Sequence, residues 1–419
     1  AAQGSTDFIT PKEAVLSGYW LPQIGRLPVT VTVAVTVPRG WAVFTQGVPA
    51  GKDVSADGRS VTVRYASTLP VSYPSLAAGP YQMLSAPPAG GMTFGVSVAY
   101  LHAADRPMAH QALQTAQAAL GFYATHFSPY PFPRYTVVIS DRFGLALEGY
   151  SMTTISHGYG PNVLPHEISH TWWGGVVPNT YLRDLWNESF AEYSDGLYER
   201  LTGRRDGMHL QETEPVRLSG MLAADPVSLR QAHDALDVQQ ALTGYMRGSL
   251  MLEALEQMIG QKAMLASMQA LIARHTPYQA DTWDDFVAAV TATAGARWQG
   301  FFDAWLPSAG LPALRLRRVR LLRVPSGQEI EAEVAQQPGA PFWLRVPVEL
   351  QLKRGRARQD VMLTAPSAPV HFYLSPAAKP VTLEIDPQKT LLRAYDPTSD
   401  SEANAPTTYR FPAARPGAR

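Results

Sequence analysis

The chain has 419 residues and no cysteine. That absence excludes a disulfide scaffold, an iron–sulfur centre, a thiolate zinc site and a cysteine nucleophile. Charge is scarce too: 17% of residues are charged, with 35 basic side chains against 35 acidic ones. A general phosphate-backbone binder needs clustered Lys and Arg, so no nucleic-acid partner is expected. No run reaches the ~18 apolar residues of a membrane span. Glycine and proline, 32 and 35 in number, are scattered without period, which excludes collagenous and low-complexity chains. What is left is a globular protein of several domains, at ~150 residues each. Any metal it holds must be bound by His, Asp or Glu. The chain opens at Ala1 without Met. That start reads as a removed leader or a trimmed end, and favours an exported protein over a cytoplasmic one.

The expected class is α+β in several domains. Val29, Val31, Val33, Val35 and Val37 alternate with Thr30, Thr32, Ala34 and Thr36, the period of a strand. Similar runs at 61–65 and 93–100, with Gly and Pro turns between, make residues 1–100 an antiparallel β domain. From Pro107 to Phe127 the apolar spacing becomes helical, with Pro107 suited to a first turn. Short strands at 135–140 and 150–156 precede helices near 165–175, 187–202, 239–259, 262–275, 282–294 and 297–306. Residues 101–310 therefore read as one mixed domain. Strand-like runs with frequent turns make 311–396 a small β-sandwich. The alternation of Arg and Leu at 314–322 reads as a half-exposed strand. Residues 397–419 are rich in Pro, Ala, Ser and Thr, and read as a flexible tail.

The chemistry is concentrated in His166-Glu167-Ile168-Ser169-His170. On a helix, positions four apart share a face, so two imidazoles can reach one metal, with Glu167 beside them. Random H-E-x-x-H sequences arise roughly once per hundred such chains. A catalytic zinc needs a third protein ligand. Glu188, in Asp184-Leu-Trp-Asn-Glu188-Ser-Phe-Ala, opens a second helix that can bring it to the same metal.

His-Glu-Ile-Ser-His-Thr-Trp-Trp-Gly-Gly-Val-Val together with Asn187-Glu188-Ser-Phe-Ala resembles the gluzincin aminopeptidase family. Seventeen residues separate His170 from Glu188, one fewer than in that family. Leu145-Ala-Leu-Glu148-Gly149 resembles the family segment whose Glu holds a substrate's α-amino group; Leu145 and Gly149 stand where the family has Gly and Asn. Gly244-Tyr245-Met-Arg-Gly248 resembles the stretch whose Tyr donates to the oxyanion. Weaker likeness extends to 122–133, to Tyr73–Tyr81 and to the sandwich. In this sequence the N-terminal β region is short for the family, and no large helical C-terminal domain follows the sandwich.

The resemblance implies a thermolysin-like domain at 101–310 and a zinc-dependent aminopeptidase acting on peptides with a free amino terminus. One zinc would be held by His166, His170 and Glu188. Glu167 would act as general base, Tyr245 as oxyanion donor, and Glu148 as the partner of the substrate ammonium. Glu192, one turn beyond Glu188, either orients a ligand histidine or lies on a solvated face. Tyr150 and Met152 either line a specificity pocket or fill a strand core. His126, His157 and His233 are assigned to structure. A zinc endopeptidase, a non-catalytic peptide-binding module and lipid-epoxide hydrolysis, known in one branch of the family, are the alternatives.

Overall fold

Of the alternating valines, Val33, Val35 and Val37 form a strand, Thr32–Pro38, turning inward while its Thr and Ala face solvent; Val29 makes an isolated bridge to Val71. The computed structural model describes residues 7–17, 20–22, 27–67, 69–72, 74–88, 94–180, 182–204, 215–222, 226–276, 278–336, 342–395 and 407–412. Tyr73 and residues 397–406 and 413–419 of the expected tail lie outside these. By packing, the chain forms two compact units: residues 1–212 with 265–289, and residues 213–264 with 290–419. The expected boundaries at 101 and 311 follow the change from strand to helix along the chain, whereas these units follow contact in space.

The first unit holds three sheets. Thr32–Pro38, Ser60–Ala66 and Val48–Val54 make an antiparallel trio. Phe8–Ile9, Ala14–Leu16, Leu76–Gly79 and Ala42–Thr45 make a four-stranded antiparallel sheet. The third sheet runs in the order Ala146–Glu148, Met152–Ser156, Tyr135–Ser140, Val96–Tyr100, Gln82–Ala86, with its three middle strands parallel. Tyr135–Ser140 is buried along its whole length, which is why it reads as a continuous apolar run without alternation. Phe44 and Ala77 of the four-stranded sheet pack with Val138 and Met152 of the mixed sheet in one core cluster. The helix Arg106–His126 begins with Pro107 in its first turn, as its sequence implies, and buries Ala112, Ala116, Leu120 and Tyr123.

The second unit carries helices Pro215–Leu222, Val238–Leu242, Gly248–Ile259 and Gln299–Trp305 beside two β-sheets. One sheet orders Leu314–Val324, Gly327–Gln336 and Ser367–Leu374. The other orders Arg356–Leu363, Leu344–Leu352, Pro380–Ile385 and Thr408–Arg410. The Arg-rich strand lies beside a Glu-rich one, with Arg317 opposite Glu333 and Arg320 opposite Glu331. Opposite charges facing each other across a ladder favour the pairing of these two strands.

One expectation is corrected here. Residues 408–410 are not tail: they pair antiparallel with Pro380–Ile385, Leu383 facing Tyr409. Their three β-compatible residues are masked in sequence by the polar, Pro- and Ala-rich stretches around them, and only an open sheet edge gives them a partner.

The turn after Pro380–Ile385 is held by a buried charge. Asp386 accepts hydrogen bonds from the Thr390 amide (2.8 Å), Arg393 Nε (3.2 Å) and the Tyr395 hydroxyl (2.9 Å). Removing one partner of such a pair strands the other charge in the interior. Asp386→Ala should therefore lower stability by about 3 kcal/mol in denaturant titrations.

Candidate active site

The H-E-x-x-H segment lies on a short helix, Leu164–Ser169, with Pro165 in its first turn. It is shorter than the sequence suggests because the chain tightens at its end: the Thr171 amide bonds the Ile168 carbonyl at 3.0 Å and the Trp172 amide the Ser169 carbonyl at 2.9 Å. Glu188 sits in the first turn of Trp186–Thr202, a helix buried on all sides as far as Glu199 and ended by Gly203 at φ 69°. Aromatic packing ties the two helices. Phe190 lies 4.8 Å from Trp173 and 4.8 Å from Phe286, and the Trp173 indole donates to Ser194 Oγ at 2.9 Å.

These elements bring donor atoms of His166, His170 and Glu188 within 4.8 Å of one another, all buried. The two Nε2 atoms are 3.2 Å apart, and Glu188 Oε2 lies 3.5 Å from His166 Nε2 and 3.2 Å from His170 Nε2. The far side of each ring is engaged. His170 Nδ1 is 2.9 Å from the Trp173 carbonyl, which only accepts, so Nδ1 carries the proton. His166 Nδ1 is 3.1 Å from Glu192 Oε1. Glu192 is thereby buried against a ring, and the solvated-face alternative is excluded. Glu188 Oε1 accepts from Asn187 Nδ2 at 3.1 Å, and Asn187 Oδ1 accepts from Asn179 Nδ2 at 2.8 Å. That amide relay aims the other carboxylate oxygen at the histidines.

Burial opposes charge on both imidazoles, yet the carboxylates reverse it. Glu192, Glu188 and Glu167 hold His166 well above its usual range, and Glu188 with Glu148 holds His170 up to about 9. Burial would also raise Glu188, but the two histidines hold it well below the carboxylate range. Glu167 is pushed up to about 7, burial outweighing the pull of both histidines, with Glu148 and Glu188 adding to the rise. A buried set so rich in carboxylate calls for positive charge, from protons or from a bound cation. With both Nδ1 atoms directed at acceptors, three lone-pair donors converge. The residues fit a divalent metal of borderline softness.

Glu148 and Glu167 join this cluster: their carboxylates and His170 also offer atoms within 4.8 Å of one another. Glu148 ends the edge strand Ala146–Glu148. The structure thus gathers five of the six expected site residues in the first unit. Tyr245 belongs to the second, half-buried in a π-helical turn, Thr243–Arg247. Beside it, Arg247 is fully buried and donates to the carbonyls of Val227 (3.1 Å), Ala309 (2.7 Å), Ser308 and Gly310 (2.9 Å). Burial lowers it to about 10, so it stays charged at neutral pH.

Tyr150 and Met152 are buried core residues, 1% and 2% exposed. His126 Nδ1 meets the Phe122 carbonyl at 2.8 Å, and His233 Nδ1 the Gln231 carbonyl at 2.8 Å. His157 is less isolated than its spacing suggests. It lies 3.4 Å from Asp105, in an exposed group that includes Asp141. The sequence reading missed Asn179, Arg247 and the carbonyl of Trp173. Asn187, Arg247 and Trp173 were visible only as parts of motifs, and nothing in sequence spacing marks Asn179.

Residues 111–305 match the peptidase family M1 domain. Over 285 residues the chain is 25% identical to aminopeptidase M1 of Arabidopsis thaliana, covering 61% of this chain and 31% of that protein. It is 26% identical over 210 residues to aminopeptidase N of Streptomyces lividans, covering 44% of this chain and 24% of the relative. The structure of Legionella pneumophila aminopeptidase A in complex with aspartic acid superposes with a TM-score of 0.75 at 15% identity, covering 91% of this chain and 47% of that one. That last likeness is one of fold. The matched regions span about a quarter to a third of the curated relatives' length. The matched domain is that of the gluzincin aminopeptidases, peptidase family M1. Among the described residues no helix is long and apolar enough to cross a membrane.

The glycines after the motif are needed for close approach. A Cβ at Gly175 would run into the Thr171 carbonyl and lie 2.9 Å from the Tyr150 ring, whereas one at Gly121 meets nothing within 4 Å. Gly175→Ala should lower stability by about 1–3 kcal/mol. Gly121→Ala, in a helix interior, should leave it unchanged or raise it by about 0.5–1 kcal/mol. Paired thermal melts check both.

Proposed function

We propose that the protein is a zinc aminopeptidase, hydrolysing the first peptide bond of substrates with a free amino terminus from a thermolysin-like region at 101–310. The observation that carries this reading is the buried convergence of His166, His170 and Glu188, with Glu167 and Glu148 at the same place. His166, His170 and Glu188 would hold one zinc. Zinc, when bound, supplies Lewis-acid polarisation of the scissile carbonyl and activation of water near neutral pH. Glu167 accepts a proton from the attacking water and returns it to the departing amine. Its burial, which raises its affinity for protons toward neutrality, suits both halves of that transfer. Glu192, Asn187 and the Trp173 carbonyl keep the donor atoms oriented. Glu148 pairs with the substrate's α-ammonium, a charge-assisted bond that limits cleavage to the terminal residue. Tyr245 is assigned the oxyanion-donor role on its likeness to the family motif; a phenol stays protonated at neutral pH and can donate to developing charge.

Chelation should abolish turnover of aminoacyl-arylamides, and added zinc should restore it. Glu167→Gln should lower kcat by about 10²–10⁴-fold while bound metal, measured by elemental analysis, stays at one per chain. Activity that survives Glu167→Gln would remove the enzyme assignment from this site. N-acetylated arylamides should not be cleaved; equal rates on free and acetylated forms would make the protein an endopeptidase and refute the role of Glu148.

A further inference from the structure

Glu148 stands on an edge strand of only three residues, with a turn on each side. A strand so short has little of its own to fix a carboxylate. It pairs with Met152–Ser156, Glu148 opposite Thr153, and the segment around it is also contacted by buried side chains of the N-terminal β region.

Gln46 follows the strand Ala42–Thr45 and is 1% exposed. Its Nε2 donates to the Gly149 carbonyl at 2.9 Å and to Ser75 Oγ at 2.8 Å, and its Oε1 accepts from the Ser75 amide at 2.9 Å. The fit is tight. A Cβ at 149 would lie 2.7 Å from Ser75 Oγ, 2.8 Å from Met152 Cγ and 3.0 Å from Gln46 Nε2. This crowding explains why Gly, and not Asn, follows Glu148 here. At the other end, Glu13 Oε1 accepts from the Arg142 amide at 3.1 Å. Its Oε2 accepts from Ser140 Oγ and from the Tyr81 hydroxyl, both at 3.0 Å, and Ser140 Oγ in turn accepts from the Phe143 amide at 3.1 Å.

Beyond Gly149 the chain is held in an uncommon conformation. Tyr150 is a buried non-glycine residue at φ 64°, its carbonyl taking the Thr171 hydroxyl at 2.8 Å. Such backbone persists only where its surroundings over-determine it.

We propose that Gln46 and Glu13 are positioning residues: the N-terminal sheet grips the Asp141–Gly149 segment at both ends and thereby holds Glu148 where a substrate ammonium is bound. This rests on the role of Glu148 given above. The small β region then contributes to substrate recognition through a residue it does not itself carry.

Gln46→Leu removes both donors at similar volume, and it is tested alone and with Glu148→Ala. On a free-amine arylamide, Gln46→Leu should raise KM by about tenfold with kcat within about threefold. In the Glu148→Ala background it should raise KM no further, because it acts through Glu148. Bound metal should be unchanged. By hydrogen–deuterium exchange, amides of 145–152 should exchange faster in Gln46→Leu, with the helix Trp186–Thr202 unaffected. An unchanged KM, an equal KM rise in both backgrounds, or unaltered exchange at 145–152 overturns the proposal. Absence of turnover by the parent enzyme marks failure of the aminopeptidase reading itself, and the exchange measurement then decides the grip alone. Glu13→Gln, which keeps the shape and loses the charge, should show the same exchange pattern more weakly.

Discussion

Two imidazole nitrogens 3.2 Å apart, each with its other nitrogen turned toward an oxygen, cannot rest in a dry interior beside carboxylates unless positive charge sits among them. Much of the first unit serves to impose that arrangement. The short H-E-x-x-H helix sets the two rings on one face, and the long buried helix delivers Glu188 to them. Asn179 and Asn187 turn the Glu188 carboxylate, and Glu192 and the Trp173 carbonyl turn the rings. An isolated cluster of this charge would relax toward water. Surrounding aromatic packing, Phe190 with Trp173, Trp186 and Phe286, leaves it no such freedom.

The N-terminal sheets belong to the same scheme. Their strands share a core with the mixed sheet, and two of their buried polar side chains end on the segment that bears Glu148. Glycine at 149 marks where side chains of the N-terminal sheet and Met152 close on the backbone, and glycine at 175 where backbone meets backbone and ring.

Legibility differed by kind of residue. Helices and strands with strong periodicity, such as Arg106–His126 and Tyr135–Ser140, were readable because burial of a face or of a whole strand leaves a pattern in the chain. The metal-ligand candidates were readable because chemistry demands His and carboxylate at fixed helical spacing. Gln46, Glu13, Asn179 and Arg247 were not. Gln46, Glu13 and Arg247 act on groups distant in sequence, Gln46 and Gly149 being separated by 103 positions, and Asn179 bonds Asn187 across a loop, so no local period records such bonds. Strand Thr408–Arg410 was missed for a related reason: an edge pairing is decided by the partner strand, and its own three residues say little.

The amino-acid sequence by itself carried the likeness to the M1 domain, the candidate donor set His166, His170 and Glu188, the placement of Glu167 beside it and the exclusion of thiolate donors. Those follow from residue identity and short spacing, which the helix converts directly into geometry. Only the tertiary structure decided which oxygen of Glu188 faces the histidines, that Glu192 is turned to His166, that Tyr150 and Met152 are core, and that Gln46 reaches the Gly149 carbonyl. Those outcomes depend on buried polar groups finding partners across the fold, and the cost of leaving such a group unpaired is felt only once water has been excluded.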